Sequence, residues 1–434
     1  MSDLTPPPIQ RPFELEMSPP GSKSLTNRAL VLAVLAEGRS VLRNVLVAED
    51  TQVMLESLSR LGFVLRRRED EPVIEVEGRG GEIPSGGAEL YCGNSGTTIR
   101  FLLALCALGR GSFTLDGNAR MRERPIGRLV EMLHDLAVRV EHVEKEGYPP
   151  VRLAASGLPG GILNFGPAQS SQYLSAILQV APYARNEVRV ELGSPQTSWP
   201  YVEMTMRLMD LFGVTPELMR DPATQEPRRI IVPQQRYRGQ DYSIEPDASN
   251  ASYFLAAAAV NPGSRITING LGKNSLQGDV GLADLLHQMG ADLVFGRDFI
   301  TIRGGERLSG IDADLSGMPD VAQTLAVVAL FAEGETCLRG LHTLRVKETD
   351  RLAALRTELG RLGAEVEIED DTLCVRPPHE LRPARIATYD DHRMAMSFAV
   401  ASTRAAGITL CDIECVNKTY PGFFGDFARL QQQE

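Results

Sequence analysis

One pattern recurs six times along this chain, and it restricts the possible folds more than any other feature. Each copy has a small polar or acidic cluster, an Ala/Leu-rich helical stretch, a short strand, a polar loop, a second helix closed by Leu-Gly, Met-Gly or a near equivalent, and then strands. The copies begin at Ser22, Asn94, Ser170, Asp247, Pro319 and Asp390, roughly 70 to 77 residues apart. That period exceeds those of solenoid repeats and suits a compact βαβαββ unit.

At 434 residues the chain is too long for one ordinary core, so six units make two groups of three. The boundary falls near Asp241-Tyr-Ser-Ile-Glu-Pro246, after the polar stretch 221–240. Arg11-Pro-Phe-Glu-Leu-Glu-Met17 alternates like a strand, precedes Pro19-Pro20-Gly21, and is assigned to the second group. The expected organisation is therefore a two-domain α/β protein. One domain holds repeats 4–6 in residues 1–21 plus 242–434, the other holds repeats 1–3 in residues 22–241, and a ligand cleft lies between them.

The helix starts differ by half. Ser22-Lys23-Ser24, Asn94-Ser95-Gly96-Thr97 and Ser170-Ser171-Gln172 are neutral or cationic, whereas Asp247-Ala-Ser, Asp320-Val-Ala and Asp390-Asp391-His392 are largely acidic. Free backbone N–H groups and the helix dipole favour anions at such ends, so the first set suits phosphate or carboxylate. The second set suits hydroxyls or proton movement. Capping is the competing reading for Ser170-Ser171 and Asp320, and surface solvation for Lys23, Arg28 and the run Arg120-Met-Arg-Glu-Arg124. Lys23 is not part of a nucleotide-binding P-loop, because Ser rather than Gly precedes it.

Leu344-Arg-Val-Lys-Glu-Thr-Asp-Arg-Leu352 is the strangest stretch. It opens a helix whose apolar stripe is Leu352, Leu355, Leu359 and Leu362, and counting back along that stripe gives Glu348 and Arg351, with Lys347 beside them. Charges on an inward face need partners. A bound anion would relieve both the burial and the Lys347/Arg351 repulsion expected four residues apart in a first turn. A salt-bridged, solvated helix start, with Glu348 on Arg351 and Lys347 on Asp350, is the alternative.

The formal charge of −11 argues against a nucleic-acid partner but permits a local cationic cleft. The six cysteines are scattered and read as reduced thiols of a cytoplasmic protein. The six histidines show no metal-ligand spacing, so no metal site is expected. Met1-Ser-Asp-Leu-Thr-Pro-Pro-Pro lacks the basic start and apolar run of a signal peptide, and no apolar run is long enough to span a membrane.

Eight stretches together resemble the 5-enolpyruvylshikimate-3-phosphate synthases, within the enolpyruvyl transferases. They are Pro20-Gly-Ser-Lys-Ser-Leu-Thr-Asn-Arg-Ala29, Asn94-Ser-Gly-Thr-Thr-Ile-Arg100, Arg122-Glu-Arg-Pro-Ile-Gly127, Ser170-Ser-Gln-Tyr173, Pro319-Asp320, Arg345-Val-Lys-Glu-Thr-Asp-Arg351, Asp391-His-Arg-Met-Ala-Met396 and Asn417-Lys-Thr-Tyr-Pro421. The resemblance implies a two-domain inverse α/β barrel, three βαβαββ units per domain, with the active site in the interdomain cleft. It implies transfer of the enolpyruvyl group of phosphoenolpyruvate to the 5-hydroxyl of shikimate 3-phosphate, releasing phosphate, by a monomer without cofactors. Ser170, Ser171 and Ser198 would hold the shikimate phosphate, Arg28 and Ser24 its carboxylate, and Gln172 and Tyr201 its ring, with Lys23, Asp320 and Lys347 also bordering it. Arg351 and Arg393 would grip the phosphoenolpyruvate carboxylate, and Lys23, Asn94, Gly96, Arg124, Gln172 and Lys418 would surround the rest of that substrate. Asp320 would take the hydroxyl proton with help from Lys23, Glu348 would help protonate the methylene carbon, and His392 would support them.

Phe101 departs from the family pattern, where Pro or a smaller aliphatic residue is common, and bears on sensitivity to the family inhibitor glyphosate near Gly96. Two rival readings differ in testable ways. UDP-N-acetylglucosamine enolpyruvyl transferases share the implied fold but typically carry a reactive Cys in the loop where this chain has Asp116–Arg124 and none. A non-catalytic repeat scaffold would use the polar helix starts only as caps.

Overall fold

Residues 2–69, 71–166, 168–193 and 196–432 are described by a computed structural model. The chain divides into two compact units, one formed by Met1–Pro20 with Glu245–Glu434 and the other by Gly21–Ile244.

Among the described residues, five four-stranded sheets repeat one topology. In the second repeat, Gly87–Tyr91 runs parallel to Arg110–Asp116, whose other edge takes Val151–Ser156 antiparallel, followed by Arg139–His142. The parallel pair is joined by the helix Gly96–Cys106, and a second helix, Gly127–Asp135, leads into the final hairpin. This is the βαβαββ order. The third and fifth repeats follow it with contiguous chain.

The first and fourth repeats take their leading strands from far away. Glu14–Met17 pairs in parallel with Arg265–Asn269, so the N-terminal strand completes the fourth repeat. Asp241–Ser243 pairs in parallel with Val41–Arg43 and completes the first. The expected break at 241/242 therefore moves to Ile244, because the backbone of Asp241–Ser243 is committed to the sheet of Arg39–Arg43. The sixth repeat is shorter: Ala384–Ile386 runs parallel to Ile408–Leu410, and Leu4 bridges antiparallel to Leu410.

The leading helices are buried all round. In Ala248–Val260, Gly96–Cys106 and His392–Ser402 every residue is buried, and Lys23–Leu35 is nearly so. Apolar composition on all faces makes a helix interior, and the small Ala side chains let neighbours approach closely. Within Gly21–Ile244 the helices Lys23–Leu35, Gly96–Cys106 and Gln172–Val180 pack on one another; in the other unit Ala248–Val260, Ala322–Val328 and His392–Ser402 do the same. Their N-termini carry the polar clusters, which fixes where those side chains emerge.

The second helices stop as the sequence pattern indicates. Gly62, Gly213, Gly290 and Gly363 follow four of them with φ of 87°, 92°, 120° and 102°, a region where a side chain is strained. In the second repeat Ala137 takes this place at φ 58°.

Three expectations change. The helix predicted through 344–352 begins only at Arg351, after a 3-10 turn at His342–Val346, because Asp350 caps it by accepting the Ala353 N–H at 3.1 Å. Lys347 and Arg351 are consequently not stacked in one helical turn. Asp320 is no N-cap either: it sits within the 3-10 turn Pro319–Val321, and its carboxylate faces cations. Finally, the cysteines are not all thiols. Cys337 and Cys374 face each other on antiparallel neighbours with Cα atoms 4.1 Å apart and form a disulfide. The Cys337 N–H points the other way, to the Ile311 carbonyl, so the pair is of the closely spaced, non-hydrogen-bonded kind. Cys92 and Cys106 are buried free thiols, pushed well above the ordinary thiol range by burial, and neither suits a nucleophile. No helix among the described residues is long and apolar enough to cross a membrane.

Candidate active site

In the Gly21–Ile244 unit three polar clusters form at the helix starts. At the first, Ser22 caps the helix and Lys23, its first residue, reaches Asp50 at 3.2 Å. Asp50 comes from the second helix of the same repeat and was not anticipated, since no local pattern ties it to Lys23. Arg28, one turn further in, is 1% exposed. It donates to Thr205 Oγ1 at 2.8 Å, to the Ser24 carbonyl at 2.9 Å, to the Tyr201 carbonyl at 3.3 Å and to Ser175 Oγ at 3.4 Å, with the Phe101 ring centroid 5.2 Å from its guanidinium. Phe101, the departure from the family pattern, thus packs against a cation. Burial lowers the Arg28 pKa to about 10, which leaves it charged near neutrality.

At the second cluster Arg124, 4% exposed, donates to the Asn94 carbonyl at 2.9 Å and to Asn94 Oδ1 at 3.1 Å. Gly96 is required here by space: a Cβ would stand 2.6 Å from Arg124 Nη2 and 3.3 Å from Arg100 Nη1. Arg100 links this cluster to the third, donating to Gln172 Oε1 at 2.6 Å and to Ser170 Oγ at 3.5 Å, while Gln172 Nε2 donates to Thr97 Oγ1 at 3.1 Å. The sequence carries no local signal that joins Arg100 to Gln172, seventy-two residues on. Ser171 precedes the helix Gln172–Val180 without a side-chain capping bond. Ser198 stands before Trp199–Leu211 in the left-handed region, φ 55°, and is buried.

In the other unit a single network joins the remaining predicted residues. Asp320 meets Arg393 Nη2 at 2.9 Å, Lys347 Nζ at 3.3 Å and Arg351 Nη1 at 3.6 Å. Arg351 is 1% exposed; its Nε donates to Asp391 Oδ2 at 2.7 Å, and its Nη2 donates to Asp391 Oδ1 at 3.2 Å and Glu348 Oε2 at 2.8 Å. Burial pulls the Arg351 pKa down, but Asp391 and Glu348 outweigh it and raise the value. Asp391 also caps its helix through the Arg393 N–H at 2.9 Å. Arg393 further donates to the Asp320 carbonyl at 3.0 Å, and Lys418 Nζ lies 3.9 Å from Glu348 Oε1. His392 is fully buried, with Nδ1 3.9 Å from Asp391 Oδ1.

Four cations (Lys347, Arg351, Arg393, Lys418) and three carboxylates (Asp320, Glu348, Asp391) therefore interlock. The buried charges have partners supplied by the protein itself, chiefly Asp391, forty residues beyond Arg351. The Glu348–Arg351 pair expected of a solvated helix start is present, but buried, and Lys347 turns to Asp320. The network can exchange a carboxylate for an incoming anion while keeping each guanidinium paired.

Repeated α/β units with neutral or cationic helix starts in one half and a buried arginine network in the other are suited to small anionic ligands. The chain belongs to the EPSP synthase family: the family model described as EPSP synthase (3-phosphoshikimate 1-carboxyvinyltransferase) matches residues 9–427. It is 46% identical over 420 residues to the 3-phosphoshikimate 1-carboxyvinyltransferase of Shewanella denitrificans, covering 96% of each chain. It is 44% identical over 439 residues to that of Vibrio vulnificus, covering 100% of each. The solved structure of EPSP synthase from Acinetobacter baumannii is similar with a TM-score of 0.81 at 26% identity, covering 98% of this chain and 97% of that one.

Proposed function

We propose that this chain is a transferase of the shikimate pathway that moves the enolpyruvyl group of phosphoenolpyruvate to the 5-hydroxyl of shikimate 3-phosphate and releases phosphate. What carries the reading is Arg351: a buried guanidinium at a helix start, held among Asp391, Glu348 and Asp320, within a chain of this family. The finer architecture goes with it: an inverse α/β barrel in each of two domains, repeats 1–3 in one and 4–6 in the other, supported by the buried leading helices and the repeated sheet order.

The chemistry divides among residues as follows. The hydroxyl oxygen attacks C2 of phosphoenolpyruvate, its proton passes to a base, and C3 gains a proton; the tetrahedral adduct then loses phosphate as C3 gives a proton back. Asp320 takes the hydroxyl proton, with Lys23 assisting, once Lys347, Arg351 and Arg393 turn toward the substrate's anions. Arg351 and Arg393 hold the phosphoenolpyruvate carboxylate, and Glu348, beside Lys418 and Arg351, exchanges the proton at C3. Lys23, Arg124 and Lys418 take the phosphate, with Asn94, Gly96 and Gln172 shaping its surroundings, and His392 supports Asp391. Arg28 and Ser24 take the carboxylate of shikimate 3-phosphate, Ser170, Ser171 and Ser198 its phosphate, and Gln172, Tyr201 and Lys347 line its ring. The working form in this reading is a cytoplasmic monomer.

The test is phosphate release with both substrates and with each omitted in turn. Release that requires both supports the assignment. Release from phosphoenolpyruvate with a UDP-sugar instead, or none at all, overturns it.

A further inference from the structure

Glu358 is a carboxylate with no exposure, seven residues after Arg351 on the helix Arg351–Arg361 and flanked along that helix by Leu355, Leu359 and Leu362. Nothing in the chemistry above uses it, and a buried carboxylate is costly unless it is held. Its partners are specific. Oε1 accepts the Tyr389 hydroxyl at 2.6 Å, Oε2 accepts the Ala387 N–H at 3.2 Å, and Arg361 Nε lies 3.5 Å away.

Ala387 and Tyr389 belong to the segment that leads from the strand Ala384–Ile386 into the helix His392–Ser402. Tyr389 and Asp390 are both non-glycine residues in the left-handed region, with φ of 56° and 53°. Two such residues in succession persist only where the surroundings hold them. The next residue is Asp391, which presents both carboxylate oxygens to Arg351 and caps the Arg393 N–H. Arg351 and Glu358 share one face of their helix two turns apart, and both engage this segment, one donating and one accepting.

We infer that Glu358 and Tyr389 are a positioning pair that holds the strained turn before Asp391, and through Asp391 sets the aim of Arg351 and Arg393 at the carboxylate of phosphoenolpyruvate. This rests on the proposed role of those two arginines. The pair touches no substrate, so its loss loosens one binding site and leaves the chemical step and the other substrate alone.

Tyr389→Phe is the decisive variant, because it removes one hydroxyl from a side chain that is 39% exposed and keeps the ring. The expected result is a rise of about tenfold in KM for phosphoenolpyruvate, from a lost hydrogen bond to a charged group, with KM for shikimate 3-phosphate and kcat within about twofold of the parent. Glu358→Gln, which removes the charge that strengthens the same contact, should give a smaller rise of the same kind, and the double variant should be no worse than the poorer single one. A parent enzyme that fails to turn over phosphoenolpyruvate would refute the functional reading itself. With an active parent, unchanged phosphoenolpyruvate KM in Tyr389→Phe, equal changes for both substrates, or additive effects in the double variant would overturn the positioning role.

Discussion

Arg28 and Arg351 are each 1% exposed, each near the start of a repeat's helix, and differently housed. Among the described residues the partners of Arg28 are uncharged: two hydroxyls, two carbonyls and an aromatic face. Arg351 is gripped by Asp391 and Glu348, with Asp320 close by. Burial accordingly lowers the Arg28 pKa, while the carboxylates raise that of Arg351 despite burial. Around Arg28 the described residues place no counter-charge, whereas around Arg351 the protein supplies it. The same split appears in the helix starts, Ser and Asn in one half and Asp in the other.

Substituting the two arginines alike is the sharpest way to break this comparison. Arg351→Met strands Asp391 and Glu348 as buried charges, and should cost about 3–5 kcal/mol of stability in urea unfolding along with essentially all phosphate release. Arg28→Met removes a charge that no carboxylate answers. It should lower kcat/KM about a hundredfold while leaving substrate-free stability unchanged or raising it by about 1 kcal/mol. Equal losses of stability in the two variants would mean that Arg28 has an internal counter-charge after all.

A smaller effect is expected at Gly96. The Cβ of Gly96→Ala must push the flexible end of Arg124 away, so KM for phosphoenolpyruvate should rise between about tenfold and a hundredfold, with little change in thermal midpoint. An unaltered KM would take Arg124 out of the phosphoenolpyruvate site. The smallest effect is a control outside both sites: Ala137→Gly relieves the left-handed strain where four other repeats already have glycine. The gain should be about 0.5 kcal/mol, the strain removed less the added flexibility of the unfolded chain, and activity should not move. A loss of stability there would show that the Ala137 methyl packs better than its backbone is strained.

Much of this was legible from residues alone where the cause is local. Three of the leading-helix starts, at Ser22, Asp247 and Asp391, the glycine stops and an N-terminal strand within 11–17 follow from capping chemistry, φ restrictions and alternation. Reading 344–352 as one helix failed because the apolar stripe was extended backward through Asp350, a residue whose side chain caps and therefore starts a helix. The disulfide is not legible in the sequence because Cys337 and Cys374 lie 37 residues apart with no shared motif, and only strand register sets them opposite each other.

The candidate residues themselves were visible in the chain, but not their partners. Asp50 for Lys23, Thr205 and Ser175 for Arg28, Arg100 for Gln172, and Asp391 for Arg351 are separated from them by tens of residues or more, and Glu358 reads as an ordinary helix glutamate until its burial is known. By itself the sequence determined the repeat, the two groups of three and the contrast in charge between them, because these depend on short-range sterics and hydrogen bonding. Tertiary structure decided which distant strands close the first and fourth repeats and which buried charge answers which, because both are set by register and packing between segments that only the folded chain brings together.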